Sequence, residues 1–183
     1  MAPTLSRRTR RIALLTHLVS SMSWLGLDLV LLALGVHAAA DPAERHASYL
    51  VVVLLLDTLL VPLSLASIGS GLLLMRAGPW RFRRDRWATV KLVASVVALP
   101  LAWFALRPRA AQAVASTAPG ADPGPLFATL YAPGPTLVIA PAVACALYLA
   151  AAALGVYKPW RAPTSGRHGP GRFRSNAVDS RSG

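Results

Sequence analysis

The sequence predicts an all-α integral membrane protein, a four-helix bundle with both termini cytoplasmic and a disordered basic tail. Three observations predict it. Four apolar runs each meet the length of about 20 residues that a helix needs to cross a hydrocarbon core about 30 Å thick. Of the 183 residues, 55% are hydrophobic and only 14% charged, with a mean hydropathy of +0.50, whereas soluble domains carry about 25% charged residues. The positive residues, which set a net charge of +12, lie in blocks between the runs.

The first run spans about 12–37, after a segment that holds Arg7, Arg8, Arg10 and Arg11 and no acid. A basic segment before an apolar run also suits a secretory signal, and Ala38-Ala39-Ala40 resembles a cleavage site. A signal core is about 7–15 residues long, and this run is longer and contains Asp28, so a retained helix is expected. His17, Trp24 and Asp28 are spaced by seven and four residues and fall near one stripe at about 100° per residue. Such a stripe needs partners to cover it.

A loop at 38–48 leads to the second run, 49–75. Here Pro62 removes a backbone donor and predicts a bend, with Thr58 one turn back to re-satisfy the backbone. A basic connection follows, with Arg76, Arg81, Arg83, Arg84 and Arg86 around a lone Asp85. The third run is 87–106, with Lys91 near its start and Pro100 near its exit; 107–135 reads as the longest loop, rich in Ala, Pro and Gly. The fourth run is 136–157, and the tail 158–183 has the Gly, Pro, Ser and Arg content of a disordered segment.

Charge sets the orientation. The segments 1–11, 76–91 and 158–183 hold four, six and six Lys/Arg, while 38–48 and 107–135 hold one and two. This asymmetry places both termini in the cytoplasm and the chain in the cytoplasmic membrane. Trp80, Trp87, Tyr157 and Trp160 fit an inner aromatic belt, and Tyr49, Trp103, Phe104, Phe127 and Tyr131 an outer one. The bilayer is then the first partner. Arg81, Arg83, Arg84 and Arg86 are candidate contacts to anionic headgroups, worth about 1 kcal/mol per residue, and they explain the basic charge without nucleic acid. Small residues four apart, Ser67 and Gly71 or Ala94, Ala98 and Ala102, suit close helix packing within one copy, between copies or with another membrane protein.

Candidate chemistry is sparse. Asp28 and Asp57 each lie about 12 Å below the outer ends of their runs. On antiparallel neighbours they could meet, and two close carboxylates cannot both ionise cheaply, which suits a proton relay or cation site. His17 lies in the cytoplasmic leaflet with Ser64, Ser67 and Ser70 of the second run, and is expected to hydrogen-bond Ser67 or Ser70. Its sharper alternative is a haem ligand. His37 and His46, with Asp41 and Glu44, are weak metal candidates that fit no defined spacing. The single cysteine, Cys145, rules out an internal disulfide and a Cys-based metal motif. Phosphate loops, HExxH and GxSxG are absent, so neither an enzyme nor a cofactor is expected.

The stretches SSMSWLGLDLVLLALG (20–35), PLSLASIGSGLLL (62–74), WATVKLVASVVALPLAWFALRP (87–108) and GVYKPW (155–160) resemble a group of uncharacterised actinobacterial integral membrane proteins. The resemblance covers most of 12–160 and implies a four-helix membrane bundle. More distantly, His17, Trp24 and Gly26 are similar to a pattern in copper-resistance-D-type membrane proteins, which would imply copper handling; the Met and His richness of that role is lacking. The expectation is a non-catalytic structural or interaction component of the membrane. The alternatives are a small proton- or cation-coupled transporter component using Asp28 and Asp57, and a metal- or haem-handling protein.

Overall fold

A computed structural model of the chain describes residues 6–77, 86–121 and 126–157, and all its regular elements are helices. The first helix, α1, spans Arg7–Ala40. The second, α2, joins Arg45–Leu55, a π-helical turn at Leu56–Leu60 and Val61–Ala77 without interruption. The third, α3, joins Arg86–Leu101, a second π turn at Ala102–Leu106 and Arg107–Thr117 in the same way. The fourth, α4, spans Pro133–Tyr157. Among the described residues four helices are thus long and apolar enough to cross a membrane. The helices form a ring in which α1 packs on α2 and α4, and α3 closes the other side.

Each helix extends beyond the run that announces it, most of all α3. The expected loop at 107–135 shrinks to 118–132 because Arg107–Thr117 is helical. The low hydropathy of this segment disguises Ala110, Ala111, Ala113 and Ala115, and alanine is the best helix former. Pro108 lies inside this continuous helix just after the second π turn, where the helical hydrogen-bond ladder is already irregular. Ala110 and Ala113 are fully buried among the other helices. A π turn lies just before Pro62, where the sequence predicts a bend. Thr58 Oγ1 donates to the Leu54 carbonyl at 2.7 Å within that region, and the Arg107 backbone N–H reaches back five residues to the Ala102 carbonyl in the second turn.

Local side chains fix the helix ends. Ser6 caps α1, its Oγ accepting from the Thr9 N–H at 3.1 Å. At the other end Arg45 Nε donates to the Ala38 carbonyl at 2.7 Å, satisfying one of the last open acceptors of α1. The same guanidinium lies 5.0 Å over the Phe127 ring, which in turn rests on Gly134 at the start of α4. Any side chain at 134 would enter that ring. One cation therefore ties together the C-terminal end of α1 and the N-terminal ends of α2 and α4. Arg45→Gln is expected to lower stability by about 1 kcal/mol, the value of a lost cap, and a thermal melt in detergent measures it.

The apolar core lies in the half of the bundle nearest the 41–44 and 118–132 connections, where Leu27, Leu31, Tyr49, Val52, Leu56, Leu60, Leu106 and Leu137 meet. Tyr49 is fully buried there and is no part of an outer aromatic belt. Trp103 and Phe104 also leave that belt, because the extension of α3 to Thr117 puts them about 20 Å from its outer end. Phe127 and Tyr131 are exposed on the 118–132 connection. Trp80 and Trp160 and the side chains of Trp87, Lys91 and Tyr157 lie outside the described residues, as do the tail and its expected disorder.

Candidate functional site

The polar stripe of α1 serves two different neighbours. In its N-terminal half it meets α2. His17 Nδ1 is 3.0 Å from the Ser67 carbonyl and 3.2 Å from Ser70 Oγ. A carbonyl only accepts, so Nδ1 carries the proton and donates. Ser70 Oγ spends its own hydrogen on the Ala66 carbonyl. One turn on, Ser21 Oγ and Ser67 Oγ share a hydrogen bond of 2.8 Å. Gly71 makes room for the imidazole, since a Cβ there would stand 3.1 Å from His17 Cε1. The sequence pairing of His17 with the serines of α2 is thus what the helices build. Ser64 is fully buried but donates to the Val61 carbonyl of its own helix at 2.9 Å, so it does not join His17.

Seven residues on, the stripe has turned to α4. Trp24 is 2% exposed and meets Tyr148 edge to face, with ring centroids 5.3 Å apart at 62°. Asp28, 6% exposed, lies within electrostatic reach of Cys145 and Tyr148 on the same helix. Its Oδ2 and the Tyr148 hydroxyl are both buried without a hydrogen-bond partner among the described residues. The helices approach closely at Gly35, where a Cβ would come within 2.4 Å of the Leu137 carbonyl oxygen.

Asp57 stands at the same level as Asp28, each twelve residues from the helix end at the 41–44 turn. The expected carboxylate pair is nevertheless not formed. Both oxygens of Asp57 are taken by Arg107 of α3, Nε–Oδ1 at 2.7 Å and Nη2–Oδ2 at 3.1 Å. The reason lies in the extension of α3, which brings a residue assigned to a loop down to the depth of Asp57. A guanidinium that offers two parallel N–H groups is the stronger partner for a carboxylate. Arg107 also lies 5.7 Å from the Trp103 ring. Arg107, Tyr148, Arg45 and Ser21 are therefore the polar residues that the sequence reading left out. Only Arg107 carried a usable signal, the alanine run behind it.

Near the 41–44 turn His46 Nδ1 and Thr117 Oγ1 share a hydrogen bond of 3.0 Å, and His37 is exposed in the last turn of α1. Asp41 accepts from the Ala43 N–H in a turn. Among the described residues no three His, Cys, Asp or Glu side chains form a group suited to a metal ion. Arg81, Arg83 and Arg84, and the side chain of Arg86, lie outside the described residues. Comparison of the chain with family models, curated proteins and solved structures finds no match.

Proposed function

We propose that this chain is a multi-pass protein of the cytoplasmic membrane, with both termini cytoplasmic, and that it acts without catalysis as a structural or interaction component. The observation that carries the membrane reading is an inverted distribution of polarity. Ser20, Asp28, Ser48, Ser64, Ser67 and Ser70 are buried, while Met22, Leu101, Phe104, Leu130 and Tyr131 face outward, Phe104 76% and Tyr131 82% exposed. Water would penalise that surface, and lipid accommodates it. The basic segments support this sidedness and have the charge that anionic headgroups attract. The interaction reading draws support from how the polar groups are used. His17, Asp57 and His46 all hold one helix to another.

Single cysteines placed at Ala43, Gly120, Arg83 and Ser175, in a Cys145→Ala background, test the arrangement. A membrane-impermeant maleimide applied to intact cells is expected to label 43 and 120, and to reach 83 and 175 only after lysis. Labelling of 83 or 175 from outside would reverse the orientation, and equal labelling of all four in intact cells would remove the membrane reading.

One observation favours a second reading, a proton- or cation-coupled component. Asp28 retains an unpartnered buried oxygen beside the unpartnered hydroxyl of Tyr148. A buried carboxyl in a span is a natural relay group, and Tyr148 replaces Asp57 as its neighbour. If this second reading holds, Asp28→Asn abolishes proton or cation flux in proteoliposomes. Flux that is unchanged in the variant, or absent from the unaltered protein, returns Asp28 to a packing role.

A further inference from the structure

We infer that the chain assembles as a twofold dimer through the face of α2 and α3 that carries Asp57 and Arg107. This rests on the membrane reading above. The ion pair opens to the outside of the bundle, the side chains of Arg107 and Asp57 being 40% and 36% exposed. Its depth is the unusual part. Asp57 stands four residues from Val61, the middle of Arg45–Ala77, and Arg107 stands between five and six residues from the middle of Arg86–Thr117. At 1.5 Å per residue these offsets are about 6 and 8 Å, well inside a hydrocarbon half-thickness of about 15 Å. Lipid tails offer nothing to the acceptor sites and N–H groups that the pair leaves over. Two of the five guanidinium N–H donors are used on Asp57. Charges at such a depth turn toward protein or water.

The charge arrangement selects a second copy as the protein. Asp57 and Arg107 sit side by side on adjacent helices at one depth. Two copies inserted in the same direction can be related only by a twofold axis along the membrane normal. That axis sets the acid of each copy opposite the base of the other, the isologous pattern in which residue i meets j and j meets i. The four charges then close into a ring of alternating sign. Stacking of Arg107 over Trp103 holds the guanidinium in place. Exposed Leu54, Leu101 and Phe104 lie on the same two helices within six residues of the pair.

The test uses the full chain in lipid nanodiscs, with mass read by light scattering. The unaltered protein is expected to give two copies per disc at low loading. Asp57→Arg and Arg107→Asp, each alone, are expected to give one copy, because each presents four like charges to its twin. Mixed together under two affinity tags, these variants are expected to co-purify as a hetero-pair, since acid again faces base. Loss of folding in either variant does not rescue itself on mixing, and the neutral double variant Asp57→Asn/Arg107→Gln, expected as a single copy, provides an independent arm. With Cys145→Ala, Phe104→Cys is expected to crosslink between copies. One copy per disc for the unaltered protein overturns the dimer, and so does a double variant that stays dimeric. Because the labelling pattern of cysteines 43, 83, 120 and 175 is read separately, a monomer with that pattern intact removes the dimer alone.

Discussion

Trp24→Ala is expected to lower the stability of the bundle by about 3 kcal/mol, the low end of the range for removing a large aromatic from a core. The low end applies because the transfer term is small when the surroundings are as apolar as the seam. What is lost is packing. Trp24 is almost wholly enclosed between α1 and α4 and holds Tyr148 edge to face, a geometry worth about 0.5–1.5 kcal/mol beyond area. Trp24→Phe keeps a ring in that place and is expected to recover at least half of the loss. Unfolding in mixed micelles of rising denaturing-detergent fraction measures both. A Trp24→Ala protein as stable as the parent would show that α4 is held elsewhere.

Gly35→Ala is expected to destabilise by about 1–3 kcal/mol, as overpacking does. A methyl group at that position would lie 2.4 Å from the Leu137 carbonyl oxygen and 3.0 Å from its carbon. Backbone cannot rotate aside like a long side chain, so α1 and α4 must separate. The same substitution at Gly26 meets nothing within 4 Å. There the only effect is the higher helix propensity of alanine, about 0.5–1 kcal/mol in favour of the variant. Opposite signs at two glycines of one helix, nine residues apart, separate close approach from propensity. Equal effects at 26 and 35 would remove the tight α1–α4 contact.

Both substitutions act on the seam between α1 and α4, and the sequence was least informative about that seam. The stripe of His17, Trp24 and Asp28 was legible from spacing, as was the need to cover it. The expected partner for His17 and for Asp28 was α2, the helix joined to α1 by a short loop. A helix of 34 residues has room for more than one neighbour along its length. His17 meets Ser67 and Ser70 on α2, while Trp24 meets Tyr148 on α4. Spacing reports which residues share a face. It does not report which helix that face meets at each height.

Asp57 gives the clearest contrast. Its type and depth were readable, and its partner was not. Arg107 looked like a loop residue because hydropathy falls where Arg107, Arg109 and Gln112 enter the chain. Burial of Ala110 and Ala113 against neighbouring helices stabilises a helix that the local composition disguises.

By itself the sequence determined the number of apolar helices, their order and the sidedness argument. Those follow from quantities summed along the chain, run length and charge between runs. The tertiary structure alone decided the extension of α3, the two π turns, the division of the α1 stripe between α2 and α4, and the transfer of Asp57 from Asp28 to Arg107. Those depend on side chains 50 or more residues apart meeting at one height, as His17 meets Ser67 and Asp57 meets Arg107, and no local pattern encodes such a meeting.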